Sequence, residues 1–525
     1  MLSRRQFLIR GGSAGAALVV APQTAVEALA RPRLLRGGKF NQGVLSGDPT
    51  PHGITLLTVL DDVTGAGTVK LEVARDRDFR HVVARETIAT SGKRNHSVKA
   101  RIGHLAPHER YYYRFETRDH HSPVGRFQTA LPPDSRQPVK FAFFSCADYT
   151  HGYYNGYDLM RREDVDFVVC LGDYIYAEAY HTRADGTGVR DDSVGVAMTL
   201  DGYRGKYALY RSDRTLRKLH ASVPMITIWD DHEVQNNYAG GERDGGLPPS
   251  EHFSLARKRA AYKAFFESMP FYGGRTKRVY RHLRVGKHVD LLLPDQRKYR
   301  ANQPCGDAVA PPCADWDEPR DFLGRKQMNW LKHRLSASRA TWKVIGSETL
   351  MMPAKVTGNA YYQYDSWQGY PREREELLDH VKGIQDVVFI TGDIHIFLAG
   401  DVRTQMGNGP SVAVEFVGGS ITSQNFGETD INAGSGVVIP GDDQNPHTNP
   451  AVYNVLRSVN PWIDQADFDH HGYGLVKATG THFDCSFKRL TTIKHRTRET
   501  LTTNGYSYRL ARGQRSIKGV NGPPA

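Results

Sequence analysis

Residues 167–176 read Phe-Val-Val-Cys-Leu-Gly-Asp-Tyr-Ile-Tyr. Five apolar residues in a row are too few for an ordinary helix and suit a strand buried on both faces. Gly172 and Asp173 then end the run. The same pattern, an apolar run that stops at a polar residue, recurs at Lys140–Ser145, Met225–Trp229, Val289–Leu293, Lys343–Ser347, Val387–Thr391 and Val412–Val417. Amphipathic stretches lie between and around these runs: Leu159–Glu163, Gly202–Leu209, Ser250–Met269, Gly324–Ser336 and Pro371–Lys382. Strands that alternate with helices predict a layered α/β domain over 139–504. The polar residues repeatedly follow strand ends, where sites assemble in open α/β sheets.

Upstream the pattern differs. Gly53–Val59, Thr68–Val73 and Tyr111–Thr117 are short β-branched or aromatic runs set off by Gly, Pro and Asp turns. They predict an all-β sandwich of immunoglobulin or fibronectin type over 40–132. Leu131-Pro132-Pro133-Asp134-Ser135 reads as a linker, and 505–525 as a basic, Pro-ended tail. A chain of 525 residues has room for both domains.

Residues 1–30 read as an export signal. Ser3-Arg4-Arg5-Gln6-Phe7-Leu8 matches the twin-arginine pattern, a weakly apolar stretch from Gly11 to Ala21 comes next, and Ala28-Leu29-Ala30 offers a small-residue cleavage site. No later segment is apolar and long enough for a transmembrane anchor. The expected location is therefore secreted or periplasmic, with the twin-arginine export machinery as partner. The formal net charge of +12 favours anionic substrates. Lys and Arg are nevertheless spread along the chain without dense blocks, so specific nucleic-acid recognition is not expected. Of five cysteines, Cys305 and Cys313 bracket a Pro/Gly-rich loop suited to a short disulfide in an oxidising compartment. Cys170 and Cys485 lie in apolar or strand-like runs and read as buried small hydrophobes.

Four clusters follow strands: Phe143-Phe144-Ser145-Cys146; Gly172-Asp173-Tyr174-Ile175-Tyr176; Trp229-Asp230-Asp231-His232-Glu233-Val234-Gln235-Asn236-Asn237; and Gly392-Asp393-Ile394-His395. Carboxylates, His, Cys and Tyr at the ends of apolar runs resist burial unless paired or metal-bound. Their mixture of oxygen, nitrogen and sulfur donors suits more than one type of metal. Taken singly, several have plainer readings. Asp148 reads best as a cap, Cys146 as a buried hydrophobe, Tyr176 as core or surface, Arg297 as an ion-pair partner, His232 as a core hydrogen bonder and Trp229 as packing.

In this order the motifs resemble those of the PhoD-type phosphatases, within the calcineurin-like metallophosphoesterases. Val44-Leu45-Ser46-Gly47-Asp48-Pro49-Thr50-Pro51-His52-Gly53 resembles that family's N-terminal domain, and Asp295-Gln296-Arg297-Lys298-Tyr299-Arg300 its midchain signature. The resemblance spans about residues 40–395 and implies a four-layer α/β/β/α catalytic domain with ferric iron and calcium. It implies that Asp173 bridges the metals and that Cys146 and Tyr176 ligate iron. Asp231, Asn236 and Asp393 supply oxygens to calcium, His395 supplies nitrogen, and Asp230 lies in or next to the ligand set. Cys146 stands where the wider superfamily commonly has Asp, and Asp393 where it commonly has His; both departures match the PhoD type. Such a centre clamps phosphate and lowers the pKa of water. Arg297 is then a phosphate donor, and His232 protonates the leaving oxygen or orients a ligand.

The expected activity is hydrolysis of phosphate esters of the alkaline phosphatase type, with phosphodiesters at least equal to monoesters as substrates. A phospholipase D-like action on phospholipids is the rival within the family. An extracellular binding or adhesion protein is the rival from another class, suggested by the β-sandwich alone.

Overall fold

A computed structural model describes residues 33–517 except 182, 184, 185, 187, 240–253, 275, 429–449 and 502–505, and only the backbone of 450–453. The segment read as an export signal therefore lies outside the described residues, as does the start of the helix expected at Ser250.

Seven strands form the N-terminal sandwich. Val44–Thr50, Gly53–Val59 and Ser97–Ile102 make one sheet; Val82–Thr90, Gly67–Ala74, Arg110–Glu116 and Gly125–Gln128 make the other. Arg110–Glu116 alternates buried and half-exposed residues, and Tyr111, Tyr113 and Phe115 point into a core with Leu56, Val69 and Leu71. Lys99 Nζ donates to the Phe271 carbonyl at 3.1 Å, and Arg281 pairs with Asp48 at 2.8 Å. Such bonds tie the sandwich to the α/β domain, and from Leu34 onward the chain forms one compact unit.

The α/β domain is built on two larger sheets. One has six strands in the order Met225–Ile228, Phe167–Leu171, Val139–Phe144, Gly472–Ala478, His482–Arg489, Ser507–Ala511. The other has seven, in the order Arg281–Val285, Val289–Leu293, Trp342–Ser347, Val387–Thr391, Ser411–Gly418, Phe397–Arg403, Ile463–Asp467. Three neighbours in the first and four in the second run parallel. The two sheets share one apolar core, where Phe416 stacks on Phe483 and Phe397 packs on Phe487. Tyr203, Tyr207 and Phe265, from the helices Leu200–Ser212 and Leu255–Ser268, join that core from outside. On the far face of the seven-stranded sheet, Leu331 and Leu377 bury the helices Arg325–Ala337 and Pro371–Lys382. The result is the expected α/β/β/α sandwich behind an all-β domain.

Several boundaries differ from expectation. The helix expected at Leu159–Glu163 runs from Asn155 to Met160, where Tyr157 and Met160 bury one face. The first-sheet strand stops at Ile228 because Trp229 turns into the core, stacks on Tyr262 at 4.3 Å and donates Nε1 to Asp295 at 2.9 Å. The segment expected as a tail contributes Ser507–Ala511, an edge strand that buries Tyr508 and Leu510 on alternate positions. Cys305 and Cys313 form the expected disulfide. No helix among the described residues is long and apolar enough to cross a membrane.

Candidate metal centre

The parallel strands bring their carboxyl ends together. Val139–Phe144 delivers Cys146, Phe167–Leu171 delivers Asp173, Met225–Ile228 delivers Asp230 and Asp231, and Val387–Thr391 delivers Asp393 and His395. Cys146 (φ 58°), Asp173 (52°), Asn237 (50°), Asp393 (67°) and His395 (60°) all hold left-handed backbone, which costs non-glycine residues free energy and concentrates at functional sites. Gly172 has φ 108°, and a Cβ there would stand 2.3 Å from Asp230 Cβ. Only glycine lets the two strand ends approach this closely.

Asp173 is the centre. It belongs to one group with Cys146 and His395 and to a second with Asp231 and His232; Asp230, Asp231 and Asp393 form a third. In each group the candidate ligand atoms lie within 4.8 Å of one another. Tyr176 Oη donates to Asp173 Oδ2 at 3.2 Å, lies 3.2 Å from His395 Nε2 and accepts from Ser423 Oγ at 2.6 Å. His395 Nδ1 is 2.7 Å from the Gln424 carbonyl, so that nitrogen carries the proton and Nε2 presents its lone pair. Burial pushes His395 down to about 4, which keeps the imidazole in its neutral, ligating form.

The donor set fits cations. Asp230 Oδ2 and Asp231 Oδ1 are buried without a hydrogen-bond partner. Burial pushes Asp173 and Asp393 well above the usual carboxylate range, and neighbouring carboxylates add to the rise. Burial and the Asp173 charge likewise raise the Cys146 thiol. Counter-charge of this kind is what bound metal supplies. Asp173, Tyr176, Asp231, His232, Asn236, Asp393 and His395 line an open cleft of about 480 Å³, while Cys146 and Asp230 lie buried at 0% and 1% exposure.

His232 stacks on the Tyr176 ring with centroids 4.1 Å apart. Its Nδ1 is 2.8 Å from Glu178 Oε2, and its Nε2 is 3.9 Å from Asp231 Oδ2. Although burial opposes the charge, Asp231, Asp173 and Glu178 raise His232 well above its ordinary value.

Arg297 is 0% exposed and does not line the cleft. Its guanidinium donates to Asp230 Oδ1, to Asp365 Oδ1 at 2.9 Å and to Asp393 Oδ1 at 3.4 Å, and lies 3.5 Å from Asp231 Oδ1. Its donors are spent on carboxylates here, so this structure sets Arg297 behind the cleft as their counter-ion.

Residues without an expected role also build the site. Glu233 accepts from the backbone N–H groups of Asp173, Tyr174 and Asp230, clasping two strand ends. Glu178 orients His232 and accepts from Asn236 N at 2.9 Å. Glu233 lies inside a quoted motif, but Ser423 and Asp365 carry no local signal. Asp148, expected as a helix cap, instead closes a local turn, accepting from Thr150 N at 2.8 Å, and it also lines the cleft; the next helix begins only at Asn155. Beyond it His151, His471 and Glu428 cluster, with His–Glu distances of 3.0 and 3.1 Å. Lys494 Nζ, 3.4 Å from Glu428, already supplies positive charge there.

A two-sheet α/β/β/α sandwich with Asp, Cys, Tyr and His gathered at its strand ends defines a metallophosphoesterase. The comparisons agree. The family model described as PhoD-like phosphatase matches residues 141–487, and that of the PhoD-like phosphatase N-terminal domain matches 27–131. The chain is 36% identical over 430 residues to alkaline phosphatase D of Bacillus subtilis (strain 168), covering 78% of this chain and 73% of that protein. A solved structure of PhoD superposes with a TM-score of 0.81 at 31% identity, covering 93% of both chains. A purple acid phosphatase from yellow lupin (Lupinus luteus) seeds shares the fold at a TM-score of 0.54 and 12% identity, covering 94% of this chain and 76% of that one. The chain belongs to the PhoD-like phosphatase family, and so to the metal-dependent phosphoesterases.

Proposed function

We propose that this chain is an exported hydrolase of phosphate esters whose centre holds ferric iron and calcium. Cys146, Asp173, Tyr176 and His395 would hold the iron; Asp173, Asp231, Asn236 and Asp393 would hold calcium, with Asp230 beside them. The observation that carries this reading is that Asp173 shares one group with Cys146 and His395 and another with Asp231, and that Asp231 in turn belongs to an all-carboxylate group with Asp230 and Asp393. Bound there, the cations would polarise phosphoryl oxygens and lower the pKa of water. The protein does the rest. Glu178 holds Nδ1 of His232 so that Nε2 faces the cleft, where it can protonate a leaving alkoxide. Arg297 balances the buried carboxylates from beneath.

Phosphodiesters are proposed as substrates at least equal to monoesters. One feature favours phospholipids as well: Tyr362, Ile394 and Phe426 line both the cleft and an adjoining apolar crevice with Ile396, Leu398 and Phe468. A panel of an aryl phosphodiester, an aryl phosphomonoester and phosphatidylcholine decides among these. Turnover of the diester at least matching the monoester is expected; metal-loaded protein that hydrolyses none of the three would end the proposal.

Tyr176→Phe tests the iron half. A phenolate bound to ferric iron absorbs visible light, and so does a thiolate such as that of Cys146. The substitution keeps the ring stacked on His232 and removes the ligand oxygen. A weakened or shifted visible band and looser iron are expected in the folded variant; an identical band at equal iron occupancy would return Tyr176 to a packing role.

Export is proposed to use the twin-arginine route. Precursor should accumulate in the cytoplasm when Arg4 and Arg5 are both changed to Lys, and unchanged secretion of that double variant would exclude the route.

A further inference from the structure

Three consecutive residues of the loop closed by Cys305–Cys313 hold left-handed backbone: Cys305 at φ 62°, Gly306 at 64° and Asp307 at 55°. Two of them carry a Cβ, and such residues are strained unless their surroundings hold them. Two features hold this turn. One is the covalent closure, with the two Cα atoms 5.4 Å apart. The other is the Asp307 carboxylate. Its Oδ1 accepts from the backbone N–H of Tyr364 at 3.0 Å, and its Oδ2 accepts from the side-chain amide of Asn237.

Asn237 leads to the metal centre. It lines the catalytic cleft and is itself left-handed, at φ 50°. Its backbone N–H donates to Asp231 Oδ2 at 2.6 Å, and its carbonyl accepts from Gln303 Nε2 at 2.7 Å. Gln303 also donates to Asp365, the carboxylate that receives Arg297. A continuous path of bonds thus runs from the disulfide through Asp307 and Asn237 to the Asp231 carboxylate. On the other side, the loop pairs Ala310 with Tyr361, directly before Tyr362 and Gln363 of the cleft wall.

We propose that the disulfide-closed loop Cys305–Cys313 is a positioning element of the catalytic cleft, in which Asp307 fixes Asn237 and, through the Asn237 N–H, aims the Asp231 carboxylate. Asp307 itself touches no reacting atom. Without the covalent closure the left-handed turn relaxes, Asp307 releases the Asn237 side chain, and the Asn237 backbone N–H is no longer held against Asp231. The consequence for turnover rests on the phosphoesterase reading; the structural coupling does not.

Hydrogen exchange of the segment Asp231–Tyr238 reads the coupling without substrate. The proteins compared are the full chain, Asp307→Ala, the double substitution Cys305→Ser with Cys313→Ser, and the triple combination. Exchange at Asn237 should accelerate about 10- to 100-fold in Asp307→Ala and in the same direction, by less, in the double-serine protein. The triple variant should match Asp307→Ala alone, because both changes act through one path. With an aryl phosphodiester, kcat should fall roughly 10- to 100-fold in Asp307→Ala with KM within about twofold, as for other residues that orient a ligand. Asp307→Asn keeps one acceptor oxygen and should recover part of both effects. Unchanged exchange over Asp231–Tyr238 in Asp307→Ala and in the double-serine protein would overturn the proposal, and so would additive effects in the triple variant. Altered exchange with no phosphoesterase activity in any of the proteins would sustain the coupling and instead contradict the function.

Discussion

Asp173→Asn should lower turnover by roughly 10³-fold or more, about 4 kcal/mol of barrier, while leaving the fold intact. The amide has the shape of the carboxylate but no charge and only one acceptor oxygen. In the parent, Asp173 Oδ2 faces Tyr176 Oη and Oδ1 accepts from His232 N at 3.2 Å, so the two oxygens meet different partners, as the proposed bridging role requires. A neutral side chain cannot bridge two cations, and metal content should fall together with rate. Stability of the metal-free protein should move the other way. Asp173 is 1% exposed, and although His232 attracts its charge, Asp231, Asp230 and Glu233 crowd it, so removing the charge relieves desolvation and repulsion. Metal analysis, turnover and thermal unfolding of the metal-free variant check all three. Near-normal metal and rate in folded Asp173→Asn would remove the bridging role.

Arg297→Met should be the most destabilising substitution at the site. The guanidinium is the shared cation of Asp230, Asp231, Asp365 and Asp393, and it is fully buried. Methionine fills similar space but leaves those carboxylates without that partner, and breaking a buried pair in this way costs about 3–5 kcal/mol. Excess calcium should restore part of the loss, because a cation in the cleft replaces some of the missing charge. Thermal unfolding with and without calcium measures both effects. A variant as stable as the parent would show that Arg297 is not the counter-ion of the cage. A stable variant that retained metal but lost phosphate affinity would support the phosphate role expected from sequence.

The parallel half of each sheet was legible because strands buried on both faces must be continuous apolar runs. Phe167–Leu171 and Val387–Thr391 match expectation to the residue. The antiparallel strands left weaker traces. His482–Arg489 alternates buried and half-exposed residues, and Ser507–Ala511 does the same, but two or three apolar positions in a basic segment read as tail. Among site residues, those that come after an apolar strand could be read, since a polar group at such a position needs a partner. The ion pairs of Arg297 could not. Its signature motif is visible, but the direction of its donors depends on Asp365 and Asp393, 68 and 96 residues away. Ser423 on Tyr176, 247 residues apart, is a product of sheet topology in the same way.

Metal content per chain in natively exported, fully active protein tests the central claim most directly, that Asp173 joins an iron half to a calcium half. The account predicts iron and calcium together in the active protein, with activity lost when a selective chelator removes calcium and regained when calcium returns. Full activity in protein shown to lack either metal would contradict it.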